Sequence, residues 1–367
     1  MKRLILMGAG HSHMLVLKQY LKSPLRDVEV IVVTPSRWQY YSGMIPGWIA
    51  GHYAIDQCRI DVEPMVKAVG ASLILDNVVD VLSDQKQVRL AGGALLDYDF
   101  LSIDIGAKTN LTSLSGYTGP VISIKPLGHF HQQWLKVKAA SHSGKQHLAI
   151  IGGGAAGAEL AMAMAYAGPF QADAGYSISL ITGTHGLLPD FGARLRKLTQ
   201  RKLEALGVNV LEQRAIGTGD SLSLTDGSLM RADLVIAVTG AEPFSFLSAS
   251  GLVTDNRGFV LVNKYHQSLS HPDVFAAGDV CSRQDQLLSR SGVHAVRAAP
   301  ALAANLRAAI EGGEFTAFQP RANTLYLIAC GEKTAAGSYG PFTFSGKWVW
   351  RLKDKIDRGF VRGFTGR

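Results

Sequence analysis

Cysteine is scarce in this chain of 367 residues, which contains Cys58, Cys281 and Cys330 and no other. No CxxC or CxxxxC pair occurs, so a local redox disulfide and a zinc site built from neighbouring cysteines are excluded. A small, odd set of cysteines is typical of a reducing compartment. We therefore expect the protein to be cytoplasmic.

Long apolar runs are also missing. The run at 4–7 stops at Gly8, which is too short for the core of a secretory signal, and we expect no signal peptide. The stretch at 148–167 contains Glu159 and several glycines. It therefore predicts a strand, a turn and a helix rather than a membrane span.

Charge of one sign is in modest excess, with 37 basic and 29 acidic residues and a net charge of +8. Much of the excess lies at 347–367, where seven basic residues accompany two acidic ones. A charged tail explains this pattern better than a nucleic-acid surface, so we expect no nucleic-acid partner. Hydrophobic residues make up 47% of the chain, which is enough for well-packed cores.

The chain contains an internal repeat, whose first and second copies begin at residues 4 and 148. Residues 4–13 (LILMGAGHSH) match 148–157 (LAIIGGGAAG), and 100–107 (FLSIDIGA) match 234–241 (LVIAVTGA). Two further pairs of segments lie between these in the same order, at 70–75 and 207–211 and at 90–99 and 224–233. Each copy predicts a strand, a helix and a second strand, then short alternating strands and a closing apolar strand. Alternating strands and helices form parallel sheets, so the sequence predicts an α/β fold.

The first copy carries a glycine turn between its first strand and its first helix. Gly8 and Gly10 stand where backbone N–H groups at a helix amino end can bind a pyrophosphate. The third position of the fingerprint, usually glycine or alanine, is His13, so either the helix lies further from the sheet or His13 turns toward the ligand. The second strand ends in Thr34, without the acidic residue that holds a ribose. Gly8, Gly10 and His13 are candidate cofactor-binding residues.

The second copy carries the complete fingerprint. Gly152, Gly154 and Gly157 follow the strand pattern and open an alanine-rich helix that also contains Glu159. This arrangement predicts a second dinucleotide site, with Gly152, Gly154 and Gly157 as candidates for binding. The second strand again ends without an acidic residue, and no arginine cluster lies nearby. The choice between NADH and NADPH therefore stays open.

A third motif, HPDVFAAGD at 271–279, resembles the second FAD motif of the pyridine nucleotide–disulfide oxidoreductase superfamily. The resemblance implies that Gly278 and Asp279 bind the cofactor and that the aspartate hydrogen-bonds the ribityl chain of FAD. It also implies that Glu159 is a cofactor-binding residue near the point where nicotinamide and flavin meet. Residues 292–306 resemble the helix whose amino end faces the flavin pyrimidine ring. The dipole of such a helix stabilises negative charge on the reduced ring.

The resemblance covers nearly the whole chain and is closest to the type II NADH dehydrogenase-like branch. The GHSH turn and the segments 40–53 and 346–364 resemble the flavoprotein module that is fused to selenide, water dikinase in some bacteria. A link to selenium metabolism stays open. The resemblance implies two Rossmann-like dinucleotide-binding domains and a short C-terminal region. The predicted divisions are a discontinuous FAD-binding domain at 1–118 and 242–318, an NAD(P)H-binding domain at 119–241 and a C-terminal region at 319–367.

The implied activity is hydride transfer from NAD(P)H to FAD, followed by electron transfer to a small-molecule acceptor, for which a quinone is one candidate. In such enzymes the cofactor supplies the difficult chemistry, and we assign no residue as catalytic and no metal site. A flavin-binding redox sensor, or an assembly partner without efficient turnover, is the alternative. The missing acidic residues at both strand ends leave that alternative open.

Sulfide oxidation is disfavoured by the same comparison. The segment at 323–326 resembles a flavocytochrome segment that has cysteine where this chain has Leu325. The helix after the second glycine turn contains no cysteine either. We interpret Cys281 and Cys330 as buried thiols without a redox role, which disfavours an activity like that of sulfide:quinone reductase.

The tail allows two interpretations. Val349, Leu352, Ile356 and Phe360 recur at helical spacing among basic residues and tryptophans, which is typical of a helix at a membrane surface. Peripheral contact with the inner membrane face would follow from this pattern. The alternative is a helix that packs on its own domain or in a homodimer.

Overall fold

Two five-stranded parallel sheets organise the protein. The computed structural model describes residues 1–140, 145–168 and 175–365. The elements of the first part of the chain are β1 (Lys2–Met7), α1 (His11–Lys22), β2 (Val28–Thr34), β3 (Trp38–Tyr40), α2 (Ile45–Ile49), β4 (Arg59–Asp61), α3 (Val62–Ala68), β5 (Ser72–Leu75), β6 (Val78–Leu82), β7 (Gln87–Leu90), β8 (Leu95–Asp97), β9 (Phe100–Ile103) and β10 (Lys108–Thr109).

The middle of the chain repeats this alternation. Its elements are β11 (Val121–Ser123), α4 (Leu127–Ala139), β12 (Gln146–Ile151), α5 (Ala155–Ala167), β13 (Tyr176–Ile181), α6 (Ala193–Ala205), β14 (Asn209–Leu211), β15 (Ala215–Thr218), β16 (Ser221–Leu224), β17 (Leu229–Arg231) and β18 (Leu234–Ala237). The last part contains β19 (Ala241–Glu242), β20 (Val260–Val262), β21 (Val274–Ala276), β22 (Cys281–Arg283), α7 (Gly292–Glu311), β23 (Tyr326–Ala329), β24 (Ala335–Tyr339), β25 (Phe342–Gly346) and α8 (Lys347–Thr365).

The two large sheets have matching strand orders. The first is β21-β9-β1-β2-β5 and the second is β11-β18-β12-β13-β14. Their central strands are apolar and buried on both faces, as parallel strands covered by helices must be. Each copy also has a three-stranded antiparallel sheet, β6-β7-β8 or β15-β16-β17. The predicted α/β fold of two Rossmann-like units is confirmed.

The first sheet is assembled from distant parts of the chain. Four of its strands lie within residues 2–103, and β21 comes from residues 274–276. All strands of the second sheet lie within residues 121–237. This order accommodates an inserted second unit, while the domain boundaries at 118 and 242 stay predictions.

The C-terminal helix α8 packs against its own chain. Its inward face carries Val349, Lys353, Asp357, Val361 and Phe364, all buried. This face combines two charged residues with three apolar ones. It therefore differs from the apolar stripe inferred from the sequence, of which Ile356 is 44% exposed. Across the described residues, no helix is both long enough and apolar enough to span a bilayer.

Candidate functional site

The carboxyl ends of parallel strands bring the predicted residues of the first copy to one edge of the first sheet. There β1, β9 and β21 end next to Gly8, Asp104 and Gly278. Open parallel sheets bind their ligands outside this edge, in front of the helix amino ends. The strand ends therefore set the location of the first candidate site.

The glycine turn of the first copy is built around the carboxyl group of Asp104. Gly8 has φ +92°, and a Cβ there would collide with the Asp104 backbone. A Cβ at Gly10 would overlap the Asp104 carboxyl group. That group is buried, and its Oδ2 accepts the N–H of Ser12 at 2.8 Å and the N–H of His13 at 3.0 Å. Asp104 therefore requires both glycines, whatever ligand approaches the turn.

His13 fills the space between α1 and the sheet. Its Nδ1 donates to the Gly8 carbonyl oxygen at 2.6 Å, and its Nε2 accepts from Ser102 Oγ at 2.8 Å. Burial lowers the pKa of His13 to about 4, so the ring is neutral at pH 7 and has one donor and one acceptor. The ring therefore lies between helix and sheet and is not turned toward the ligand side of the turn. That His13 binds the cofactor stays a prediction, and His13 would do so through its backbone.

Asp279 forms an ion pair across the molecule. Lys125 Nζ lies 2.5 Å from Asp279 Oδ2, and Arg290 Nε donates to the Asp279 carbonyl oxygen at 3.2 Å. Gly278 has φ +76°, and a Cβ there would come within 2.7 Å of Asp104 Oδ1. Lys125 follows β11 in the predicted NAD(P)H domain. The pair therefore links a predicted cofactor ligand to the other unit.

The amino ends of α1 and α7 meet at the same edge. Ser12 Oγ donates to the Ala295 carbonyl oxygen at 3.0 Å and joins the two helices. Three buried atoms nearby, His11 Nε2, Ser291 Oγ and His294 Nδ1, have no hydrogen-bond partner among the described residues. Buried polar atoms are rarely unpaired, and helix amino ends attract anions. This arrangement suits an anionic ligand with several polar groups.

The glycine turn of the second copy is closed on one side and open on the other. A Cβ at Gly152 (φ +138°) would overlap the Val238 carbonyl oxygen, and a Cβ at Gly157 would overlap the Gly152 carbonyl oxygen. Gly154, which precedes α5, has no atom within 4 Å of the position of its absent Cβ. Gly157 thus holds the helix against the strand, and Gly154 leaves room for a ligand at the amino end of α5.

The buried charged cluster is defined as Glu159, Lys353 and Asp357, of which Lys353 and Asp357 are buried and Glu159 is half-buried. Glu159 Oε1 accepts the Ala329 N–H at 2.8 Å, and Lys353 Nζ donates to Asp357 Oδ2 at 2.9 Å and to the Gly43 carbonyl oxygen at 2.8 Å. Burial raises the pKa of Glu159 to about 6, against the opposing effect of Lys353. Burial would lower the pKa of Lys353, but Asp357 and Glu159 outweigh it and raise that pKa.

The loop at 40–53 and α8, singled out separately in the sequence, are in contact. Tyr53 donates its hydroxyl to Asp354 Oδ1 at 2.7 Å, and Tyr41 stacks on Phe360 with ring centroids 4.7 Å apart. Burial, followed by the charge on Asp357, raises the pKa of Tyr41. The loop at 40–53 and α8 therefore stabilise each other, because each supplies the contact partners of the other.

The three cysteines are unsuited to thiolate chemistry. Burial raises the pKa of Cys58, Cys281 and Cys330 to about 12 in each case. The thiol form therefore dominates at neutral pH, and a nucleophilic thiolate is not available. Within the described parts of the chain, no group of three or more His, Cys, Asp or Glu residues could hold a metal ion.

Sequence reasoning missed four charged residues, namely Asp104, Lys125, Lys353 and Asp357. The repeat could have indicated Asp104, because a charged residue stands there where the second copy has Val238. Lys353 and Asp357 are four residues apart on α8, a spacing that favours an ion pair on one helix face. Lys125 had no signal, because its partner Asp279 is 154 residues away.

Comparison with known proteins gives consistent results. The family model described as pyridine nucleotide-disulphide oxidoreductase matches residues 3–303. The oxidoreductase ptaL of Pestalotiopsis fici is 26% identical over 97% of this chain and 96% of its own length. NDH2 from Plasmodium falciparum, solved in complex with NADH, superposes with a TM-score of 0.79 at 15% identity over 98% of each chain. The sulfide:quinone oxidoreductase of Aquifex aeolicus gives 0.78 at 16% identity, covering 100% of this chain and 93% of that one.

The chain belongs to the pyridine nucleotide-disulphide oxidoreductase family, because the family model spans most of its length. Members bind FAD and use NAD(P)H, and this protein is an FAD-dependent NAD(P)H oxidoreductase. The residues of the first copy fit FAD. The unpaired atoms His11 Nε2, Ser291 Oγ and His294 Nδ1 lie where α1 and α7 meet, and Asp279 offers a carboxylate beside them.

Proposed function

We propose that the electrons taken from NAD(P)H pass to a small acceptor of the quinone class. FAD, when bound, supplies the chemistry of accepting hydride and releasing electrons. The observation that carries the proposal is the buried charged cluster of Glu159, Lys353 and Asp357. Glu159 on α5 and Lys353 on α8 affect each other's pKa, and Lys353 also donates to the loop at 40–53.

A quinone must take up protons as well as electrons, whereas an iron–sulfur protein or ferricyanide accepts electrons alone. The buried charged cluster offers protonatable groups that are buried or half-buried. Glu159 has a pKa of about 6, and Lys353 donates hydrogen bonds into the same cluster. A group whose pKa lies near the working pH is suited to proton transfer. This favours an acceptor that needs protons.

Sulfide as the electron donor receives no support from the thiols. A persulfide route needs a thiolate, and burial keeps Cys58, Cys281 and Cys330 protonated with pKa values of about 12. NAD(P)H therefore remains the donor in this proposal. Its preferred form, NADH or NADPH, is an outcome of the first experiment.

The experiment is an anaerobic titration of the FAD-bound protein with NADH and then NADPH, followed by a ubiquinone analogue or ferricyanide. We expect bleaching near 450 nm with at least one nucleotide. In Lys353→Met, Glu159 loses the positive charge that lowers its pKa and so holds its proton more tightly. Turnover with the quinone should then fall about tenfold, while ferricyanide reduction persists. Lys197→Met removes an exposed lysine from α6 and serves as the matched control.

Each failure has a distinct meaning. Absence of bleaching with both nucleotides would overturn the nicotinamide-dependent mechanism and favour the redox-sensor alternative. Equal losses with the quinone and with ferricyanide in Lys353→Met would show that Lys353 supports the fold or flavin reduction. The proton-transfer argument would then be wrong.

We also propose that the outward face of α8 contacts a membrane surface. It exposes Trp348 (56%) and Ile356 (44%), together with the basic residues Lys347, Arg351, Lys355 and Arg362. The two aspartates of the helix do not oppose an anionic surface, because Asp357 pairs with Lys353 and Asp354 pairs with Arg358. Aromatic and basic side chains on one face favour the lipid interface.

This second proposal is tested with vesicles that contain anionic phospholipid. We expect the protein to sediment with them at low salt, and Trp348→Ala to reduce the bound fraction several-fold. Leu287→Ala removes a fully exposed apolar side chain from another surface and should leave binding unchanged. Sedimentation that is equal for both variants and wild type, or absent in wild type, would contradict the proposal.

A further inference from the structure

Asp104 is a buried carboxyl group in the turn where FAD phosphates are predicted to bind. Its side chain lies against Gly10 and Gly278, the two places where a Cβ would collide with it. It occupies the amino end of α1 by accepting the N–H groups of Ser12 and His13. Two of the donors that a helix normally offers to a phosphate are therefore already in use.

The charged and titratable groups around Asp104 come from three directions. His11 on α1 favours the ionised form of Asp104, and Asp279 after β21 opposes it. Cys281 on β22 faces the same region and is kept as a neutral thiol by burial, with a pKa of about 12. Lys125, whose charge lowers the pKa of His11, forms an ion pair with Asp279 at 2.5 Å. Among the described residues, no cation forms an ion pair with Asp104.

The Asp104 carboxyl group can change its protonation state near neutral pH before any ligand binds. Burial raises the pKa of Asp104 to about 6, against the two backbone N–H groups that favour the carboxylate. A pyrophosphate at the Gly8–Gly10 turn would add two negative charges beside it. Like charges in a buried site disfavour ionisation, because their repulsion is poorly screened there.

We propose that Asp104 takes up a proton when FAD binds, so that the bound pyrophosphate faces a neutral carboxylic acid. The reaction is FAD plus one proton plus the ionised apoprotein, giving a complex with the proton on the Asp104 carboxyl group. FAD affinity is then highest at low pH and falls as the pH rises between the pKa of Asp104 in the free protein and its higher pKa in the complex. This inference rests on the predicted placement of the FAD phosphates at Gly8 and Gly10.

The test measures FAD binding to the full-length apoprotein by quenching of flavin fluorescence from pH 5.5 to 8.5. In wild type, Kd should rise by up to about tenfold per pH unit, the limit for uptake of one proton. Asp104→Asn keeps an oxygen that can accept from Ser12 and His13 but cannot ionise. Its Kd should be nearly independent of pH and, at pH 8, lower than that of wild type. Tighter binding after removal of a charged residue is not expected from simple damage.

Two controls separate Asp104 from other groups. Asp61→Asn removes a carboxylate that also accepts at a helix amino end, that of α3, but lies outside the site, and it should keep the wild-type pH dependence. Calorimetry of wild type in two buffers of different ionisation enthalpy counts the proton without any substitution. Uptake of about one proton near pH 7 is the expected result.

A pH-independent Kd in wild type, with no proton uptake by calorimetry, would overturn the inference. A pH dependence retained in Asp104→Asn would assign the proton to another group, with His11 the first to examine, and would equally overturn it. These measurements need neither NAD(P)H nor an acceptor. Their failure is therefore distinct from failure of the proposed quinone reduction.

Discussion

The two glycine turns occupy the same place in two copies of one fold, yet they join helix to sheet by different means. In the second copy, Gly157 lies directly against the Gly152 carbonyl oxygen. In the first copy, the matching carbonyl oxygen, of Gly8, accepts a hydrogen bond from the ring of His13. A close backbone contact has been replaced by a side chain that spans the gap.

Two other positions near His13 are also polar in the first copy and apolar in the second. Ser102 on β9 donates to the His13 ring, and the second copy has Ile236 at that position. Asp104 accepts the N–H of His13, and the second copy has Val238 there. A buried imidazole needs a donor and an acceptor, so these polar residues stabilise one another as a set. The comparison shows that, in one topology, the contact between helix and sheet next to the glycine turn can be either apolar or polar. We call this contact the junction.

The largest expected effect comes from Gly157→Ala. Its Cβ would overlap the Gly152 carbonyl oxygen, which belongs to the backbone and cannot rotate away. We expect a loss of about 3 kcal/mol in the free energy of unfolding, or failure to fold, because overpacking forces the helix off the strand. Chemical denaturation followed by circular dichroism measures it.

Gly154→Ala is the matched control in the same turn. Gly154 has φ −74° and open space around the position of a Cβ, so its free energy of unfolding should change by no more than about 0.5 kcal/mol. Its predicted place at the nucleotide makes weaker NAD(P)H binding the expected result. Equal destabilisation by the two alanines would contradict the division between a packing glycine and a ligand glycine.

How much could be predicted from the sequence is clear from the same turns. The repeat, the strands and the glycines are local patterns, so residues such as Gly152 and Gly157 were recognisable from their spacing. Asp104 and Lys125 were not recognised, because their roles depend on partners brought together only by the fold. Asp104 reaches Ser12 across 92 positions of sequence, and no periodicity records such a contact.

The tail shows a second kind of limit. Apolar spacing predicted the helix and an apolar stripe of Val349, Leu352, Ile356 and Phe360. The structure instead turns Lys353 and Asp357 inward, because each satisfies the other and Lys353 also donates to the loop at 40–53. Sequence patterns assume that buried faces are apolar, and a buried ion pair breaks that assumption.

The polar junction of the first copy should make stability depend on pH, a smaller effect than the loss from Gly157→Ala. The folded state holds His13 neutral with a pKa of about 4, whereas the unfolded chain protonates it near 6.5. Its neutral form therefore contributes stability that is fully present above about pH 6.5 and is lost as the pH falls toward 4. The shift corresponds to at most about 3 kcal/mol.

His13→Phe isolates the contribution of His13 to the free energy of unfolding, because phenylalanine keeps a ring between helix and sheet but cannot ionise. At pH 7 the variant should be less stable than wild type by about 2 kcal/mol, since Gly8 and Ser102 lose their partners. The difference should shrink as the pH falls, because only wild type loses the contribution of His13. His266, also buried with a pKa of about 4, remains in both proteins and cancels in the comparison. Curves that stay parallel from pH 7 to pH 4 would show that the junction is stabilised by ring packing and not by a neutral imidazole.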